Sequence, residues 1–365
     1  MIKFNSGKEQ DIYADTDNRF VEWFNRETGK YVRTGIIDAQ NNDTNDDPFM
    51  RSFPNLLDVG IMGSCAHGKS GLCLAAGVEC YQNGLGISMP DMSFEDYQSI
   101  IKQCRGKVMQ IALGGRGDPN KHKFFGDILK LTYNNGIIPN YTTSGLGLTD
   151  SEVALTKQFC GAVAVSWYRS DYTVKAIEKF ISAEITTNIH YVLSASSIDE
   201  AIERLQNNSF PKGVNAVIFL LHKPVGLGSQ DEVLKVDNPK LKMFFGLVDN
   251  WQGDLKIGFD SCSIPGILNF TENISLQSLD TCEGARFSAY ITSDMIMTPC
   301  SFDQDLRYGV NLHENSIQVA WNSSQFQAFR DKLTYGCNGC SLHSVCKSGC
   351  PLKPEIVLCD RSEKK

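Results

Sequence analysis

Thirteen cysteines stand at 65, 73, 80, 104, 160, 262, 282, 300, 337, 340, 346, 350 and 359 of a 365-residue chain. Five of them crowd into the stretch Cys337-Asn-Gly-Cys340, then five residues to Cys346, three to Cys350 and eight to Cys359. Thiolates two residues apart on a tight turn can bind one soft cation, and Gly339 and Gly349 free the backbone to wrap it. A structural zinc ribbon is one use for such a set. Iron-sulfur clusters also account for Cys262, Cys282 and Cys300, which raise the C-terminal total to eight, enough for two four-cysteine clusters.

A second group, Cys65, Cys73 and Cys80-Tyr81, follows an apolar run, with seven and six residues between successive cysteines. The same segment spells Gly63-Ser-Cys-Ala-His-Gly68-Lys69-Ser70, the G-x-x-x-x-G-K-S pattern of a phosphate-cradling P-loop, in which Lys69 would reach phosphate oxygens and Ser70 magnesium. That reading leaves most of the cysteines without a purpose.

The elements that must position these residues follow from periodicity. Residues 1–55 are polar and turn-rich and read as an N-terminal extension with a hairpin or two. From Leu56, Val- and Ile-rich runs at 56–62, 108–113, 137–142, 161–166, 185–193 and 214–221 alternate with amphipathic stretches at 93–104, 122–135, 150–159, 171–183 and 197–207. This spacing predicts six β/α units and a parallel sheet with helices outside, spanning 56–255. Ligands to such sheets gather at the carboxyl ends of the strands. There the chain carries Cys65, Gly114-Gly115, Thr142 to Gly145, Ser166, and His222-Lys223, with His190 inside strand five. A lone strand histidine more often makes a structural hydrogen bond, and no catalytic acid or base is assigned. Residues 256–365 form a cysteine-rich second domain, in which metal can replace part of an apolar core.

Composition excludes several classes. Apolar residues make up 42% and charged residues 21%, a globular balance, and 35 basic against 42 acidic residues leave a net charge of −7. Nothing remains to neutralise a nucleic-acid backbone. The longest apolar run, Ala216 to Leu221, is far short of the roughly 20 residues that span a bilayer, and the N-terminus lacks the pattern of a secretory signal, so a cytoplasmic protein is expected.

The C-x2-C-x5-C-x3-C run and its last cysteine, with Cys282 and Pro299-Cys300 upstream, resemble the SPASM or twitch-type extension of radical S-adenosylmethionine enzymes. Seventeen residues separate Cys282 from Cys300, and Asp294-Met295 stand where the family usually has glycine. The family's catalytic cluster is usually held by C-x3-C-x2-C, and the wider spacing of Cys65, Cys73 and Cys80 departs from it. The resemblance implies a partial (β/α)6 TIM-like barrel with a C-terminal cysteine-rich iron-sulfur domain. It implies three 4Fe-4S clusters: a catalytic one on Cys65, Cys73 and Cys80, and auxiliary ones on Cys262, Cys282, Cys300 and Cys350 and on Cys337, Cys340, Cys346 and Cys359. Cys104 and Cys160 remain as structural thiols. S-adenosylmethionine would meet Gly114 and Gly115 of the glycine-rich strand-two motif, Thr143 and Ser144 after strand three, and Ser166, with Arg169 and Lys175 as candidates for its carboxylate. The implied activity is reductive cleavage to a 5′-deoxyadenosyl radical and hydrogen abstraction from a peptide or protein, for example to form a thioether or carbon-carbon crosslink. The implied partners are that substrate and a reductant such as flavodoxin or ferredoxin. The alternatives are a P-loop hydrolase with a zinc-ribbon tail and a non-catalytic iron-sulfur electron carrier.

Overall fold

The computed structural model describes residues 1–360 except Lys8, Val78, Tyr335, Gly336 and Asn338. It opens with an antiparallel meander of β1 (Ile2–Ser6), β2 (Gln10–Asp15), β3 (Phe20–Asn25) and β4 (Tyr31–Arg33), paired in chain order. Period-two alternation along β3 buries Phe20, Glu22 and Phe24. The buried Glu22 carboxylate accepts from Arg51 Nε at 2.6 Å, Tyr31 Oη at 2.8 Å and Asn55 Nδ2 at 3.1 Å, fastening the meander to the chain that enters the main sheet.

That sheet begins with β5 (Leu56–Met62), which leads through the short helices α1 (Ala66–Ser70) and α2 (Leu72–Ala75) into α3 (Phe94–Cys104). Then come β6 (Gln110–Gly115), α4 (Phe125–Asn134), β7 (Ile138–Thr143), α5 (Asp150–Phe159), β8 (Val163–Ser166) and α6 (Asp171–Ser182). β9 (Thr187–Leu193), α7 (Ile198–Gln206), β10 (Ala216–Leu221) and α8 (Pro239–Asp249) complete the series. β5 to β10 lie side by side in chain order, every pair parallel, which is the partial barrel expected. One face of each strand packs against the helices: Leu57, Val59 and Ile61 on β5 and Ile189, Tyr191 and Leu193 on β9 are buried beside Tyr97, Ile101, Ala201 and Leu205 of the helix layer. The other face carries Asp58, Asn140, Thr142, Ser166 and His190, polar positions that no apolar core would select.

The β/α rhythm runs one unit further than the sequence spacing indicates. β11 (Lys256–Phe259) pairs parallel with β10, and its four residues include a lysine and a glycine, too weak a pattern to read as a strand. After α9 (Ile264–Phe270), the opposite edge is extended by β12 (Ser288–Ile291), parallel to β5, and by the antiparallel β13 (Ile296–Thr298) and β14 (Val310–Asn311). The cysteine-rich region thus supplies strands to both edges of a ten-stranded sheet. It ends in α10 (Ile317–Trp321), α11 (Ser324–Thr334) and α12 (His343–Cys346). Buried Arg330 ties this region together, donating to the carbonyls of Ala285 at 2.6 Å and Trp321 at 2.8 Å, while Trp321 Nε1 donates to the Arg51 carbonyl at 2.8 Å. Among the described residues no helix is long and apolar enough to cross a membrane.

Candidate metal and cofactor site

The segment after β5 leaves the sheet at Gly63 and returns at Met92, and main-chain bonds close its neck: Met89 N donates to the Gly63 carbonyl and Met92 N to that of Ile61, both at 2.9 Å. Cys65 caps α1, its Sγ accepting from the Gly68 amide at 3.3 Å, and Gly71 at φ +70° ends the helix after one turn. Cys73 lies on α2 and Cys80 in the return. This geometry does not make a phosphate cradle. A P-loop needs a helix that continues past the Gly-Lys-Ser triplet with free amides at its start. Here a thiol occupies the Gly68 amide, and Ser70 Oγ donates to the His67 carbonyl at 3.0 Å. The Lys69 side chain lies outside the described residues.

The end of β6 is pressed against this loop. Gly115 adopts φ +116°, and a Cβ there would sit 2.4 Å from the Met62 carbonyl oxygen, so only glycine permits the approach. The chain then turns through Arg116-Gly117 to Asp118, whose carboxylate accepts from the Ser144 amide at 2.8 Å, from Ser144 Oγ at 2.5 Å, and from His67 Nε2 at 3.3 Å. Three segments therefore meet at one point: the cysteine loop through His67, the β6 end through Asp118 and the β7 end through Ser144. Thr143, buried beside it, donates to Asn120 Oδ1 at 2.9 Å, and Asn120 is held by Glu152, the capping-box residue of α5, at 3.1 Å. On the far side, Leu227 N donates to the Cys80 carbonyl at 2.9 Å and Ser229 N to Glu79 at 2.6 Å, so the loop after β10 straps the returning strand of the cysteine loop.

The structure brings eleven of the cysteines into three groups. Cys65 and Cys73 each lie within electrostatic reach of Cys80, and all three act on the Tyr168 hydroxyl. Cys262 interacts with Cys350, Cys282 lies within electrostatic reach of Cys262, and Cys300 within reach of both Cys282 and Cys262. Cys346 lies within electrostatic reach of Cys359, Cys337 and Cys340. Cys104 and Cys160 stand apart from the loops, on α3 and at the end of α5, with thiols pushed up by burial. As the side chains stand, no three among the described residues close to single-ion distance.

The three groups fit metal clusters in their chemistry. Desolvation pushes the thiol of Cys282 up to about 12 and that of Cys346 to about 11, and raises Cys65 and Cys73 as well. The hydrogen bond with Cys350 and then desolvation raise Cys262 further. Thiols held this way stay protonated until a metal supplies the compensating positive charge, and binding then releases their protons. A Cβ on Gly84 would lie 3.0 Å from Cys65 Cβ and 3.6 Å from its Sγ, so this part of the loop packs directly against the thiol.

Of the residues expected to meet S-adenosylmethionine, Gly114, Gly115, Thr143, Ser144 and Ser166 all lie at the strand ends around this loop. Gly114 has nothing within 4 Å of where a Cβ would stand, an open approach above the sheet. Arg169 is placed differently. It forms a short ion pair with Glu200 on α7 and lies 5.4 Å from the Tyr191 ring, on the helix-facing side of β9. Lys175 is exposed on α6, lining a shallow surface groove with Asp150, Val153 and Glu178. Residues that sequence reasoning did not assign are His67 and Asp118, because their junction with Ser144 joins positions 51 and 26 residues apart. The polar barrel face adds Asp58, whose carboxyl burial pushes up to about 6, and His190, which burial pulls down to about 4. Tyr290 of β12 points over Gly60 and accepts from Gln82 at 3.3 Å.

Residues 282–351 match the SPASM family, an iron-sulfur cluster-binding domain. No curated protein sequence matches the chain. Among solved structures, Streptococcus suis SuiB bound to S-adenosylmethionine superposes with a TM-score of 0.65 at 14% identity, over 96% of this chain and 94% of SuiB. SuiB bound to its precursor peptide SuiA superposes with a TM-score of 0.66 at 14% identity, over 99% and 98% of the two chains. The protein anSMEcpe with bound AdoMet gives a TM-score of 0.57 at 17% identity, over 81% of this chain and 89% of that one.

Proposed function

We propose, from the premise that this chain has the radical S-adenosylmethionine enzyme fold and carries a SPASM domain, that it reductively cleaves S-adenosylmethionine and modifies a peptide or protein by hydrogen abstraction. The observation that carries the reading is the grouping of the thiols: three cysteines on a loop at the barrel mouth and two sets of four in the C-terminal region. In this reading residues 1–55 form an extension, 56–255 the radical core and 256–365 the auxiliary-cluster domain. A four-iron cluster on Cys65, Cys73 and Cys80, with S-adenosylmethionine bound beside it, would supply the electron and the 5′-deoxyadenosyl radical.

The chain's own residues do the rest. Cys65, Cys73 and Cys80 hold the catalytic cluster, and the His67–Asp118–Ser144 junction keeps their loop at a fixed height above β6 and β7. Gly114 and Gly115 offer backbone to the methionine end of the cofactor, and Ser144 and Ser166 offer hydroxyls. Arg169 would have to leave Glu200 to reach a carboxylate. Cys262, Cys282, Cys300 and Cys350 would hold one auxiliary cluster and Cys337, Cys340, Cys346 and Cys359 the other, and these clusters would supply acceptors for an electron. A peptide substrate is supported by SuiB, the structurally similar protein seen with a precursor peptide. Thioether and carbon-carbon crosslinks are the reactions proposed, with flavodoxin or ferredoxin as electron donor. Anaerobic reconstitution followed by a dithionite-driven assay for 5′-deoxyadenosine tests the reading: release of deoxyadenosine supports it, and a protein that binds iron but leaves S-adenosylmethionine intact is a carrier instead.

A further inference from the structure

Lys223, the second residue after β10, is 2% exposed, an unusual place for an ammonium. Its Nζ donates to the Leu221 carbonyl at 2.8 Å and to Asp260 Oδ2 at 2.6 Å, and lies 4.3 Å from the centroid of the Phe302 ring. Asp260 is itself fixed, accepting from the Leu221 amide at 3.2 Å and from Ser263 Oγ at 2.8 Å. Both partners flank cysteines of one group: Asp260 precedes Cys262 by two residues, and Phe302 follows Cys300 by two. Phe302 also packs on Tyr81, next to Cys80, with ring centroids 4.6 Å apart.

We propose that Lys223 raises the reduction potential of the cluster held by Cys262, Cys282, Cys300 and Cys350, by placing a buried positive charge against it. A buried ammonium is costly, and joining β10 to the Asp260 turn could be done by apolar packing at less expense. What apolar packing cannot do is stabilise added negative charge. Four thiolates on a four-iron cluster leave a net negative site, and reduction adds one more electron, so a nearby cation in a low-dielectric setting favours the reduced form. Asp260 offsets part of this charge, but the ammonium also lies against Phe302, two residues from Cys300, so it meets the cysteine group from a second side. A second cation, Arg286, bonds the Cys282 carbonyl at 3.1 Å but is taken up by Asp47 and the carbonyls of Phe49 and Pro48, bracing the backbone. An acceptor cluster tuned this way is easier to load with the electron that closing a crosslink releases.

The inference rests on the cluster assignment proposed above, and its test separates the two. Full-length reconstituted protein is titrated against potential and followed by electron paramagnetic resonance, with iron and sulfide counted for each variant. Cys282→Ser identifies which signal belongs to this cluster; if no signal is lost, the assignment itself fails. Lys223→Met removes the cation, and Asp260→Asn leaves it unopposed. The expected result is a shift of that one signal in opposite directions, down for K223M and up for D260N. The size expected is about tenfold in the reduced-to-oxidised ratio, 59 mV for one electron. The other two clusters should stay put. Shifts below twofold in both variants, shifts of the same sign, or loss of the cluster's iron in both overturn the proposal and make the pair a structural brace.

Discussion

Replacing Glu22 by Gln removes one half of a fully buried ion pair while keeping its size. Arg51 donates through Nε to Glu22, and through Nη1 to the carbonyls of Phe53, Pro54 and Lys107 at 2.9, 3.1 and 2.6 Å, but its Nη2 has no partner among the described residues. The guanidinium is therefore fixed in place by carbonyls and neutralised by Glu22, at 2.6 Å with neither side chain exposed. Breaking such a pair by removing one partner costs about 3–5 kcal/mol, because the other charge stays buried. Unfolding entropy of about 2.1 cal/mol/K per residue gives about 0.8 kcal/mol/K for the whole chain, so the melting temperature should fall by about 4–6 °C. Calorimetry on anaerobically purified protein measures this. If E22Q melts within about 1 °C of the parent, the meander is not fastened by this pair and the reasoning fails.

Three further outcomes follow from the site. Cys65→Ala should lose about four irons and all deoxyadenosine formation while the auxiliary signals persist; full cleavage with full iron content would remove Cys65 from the ligand set. Ser144→Ala and Asp118→Asn each break the junction with His67 and should weaken S-adenosylmethionine binding by about 5–30-fold, about 1–2 kcal/mol, in equilibrium dialysis; unchanged affinity in both would detach the junction from the cofactor. Asp58, raised to about 6 by burial, holds its proton more tightly folded than unfolded, so its contribution to stability falls as pH rises from its unfolded value to its folded one. Asp58→Asn should therefore melt with the parent at about pH 4 and above it at about pH 8; a constant offset at both pH values would show that ionisation is not the cause.

What was legible in the sequence is what short-range patterns encode. The strands and helices of the core follow from alternation and from caps such as the Thr149–Glu152 box, and β5 and α5 lie where the periodicity places them. The cysteine spacings were also legible, since turns of a few residues bring neighbouring thiols together whatever the rest of the fold does. The edges of the sheet were not. β12 pairs with β5 across more than two hundred residues, and only tertiary packing decides that a four-residue segment becomes a parallel strand. The same applies to the junction of His67, Asp118 and Ser144 and to the Lys223–Asp260 pair, where each residue alone looks like an ordinary polar loop position. Arg169 shows the converse. An arginine after a strand end is a fair candidate for a carboxylate, but a partner 31 residues on, Glu200, holds it on the other side of the sheet.

The central claim is tested most directly by counting iron and sulfide in the anaerobically reconstituted protein and, in the same sample, measuring 5′-deoxyadenosine after dithionite reduction with S-adenosylmethionine. About twelve irons and matching sulfide per chain, together with deoxyadenosine release, is the predicted result. A colourless protein that carries zinc and forms no deoxyadenosine would contradict it.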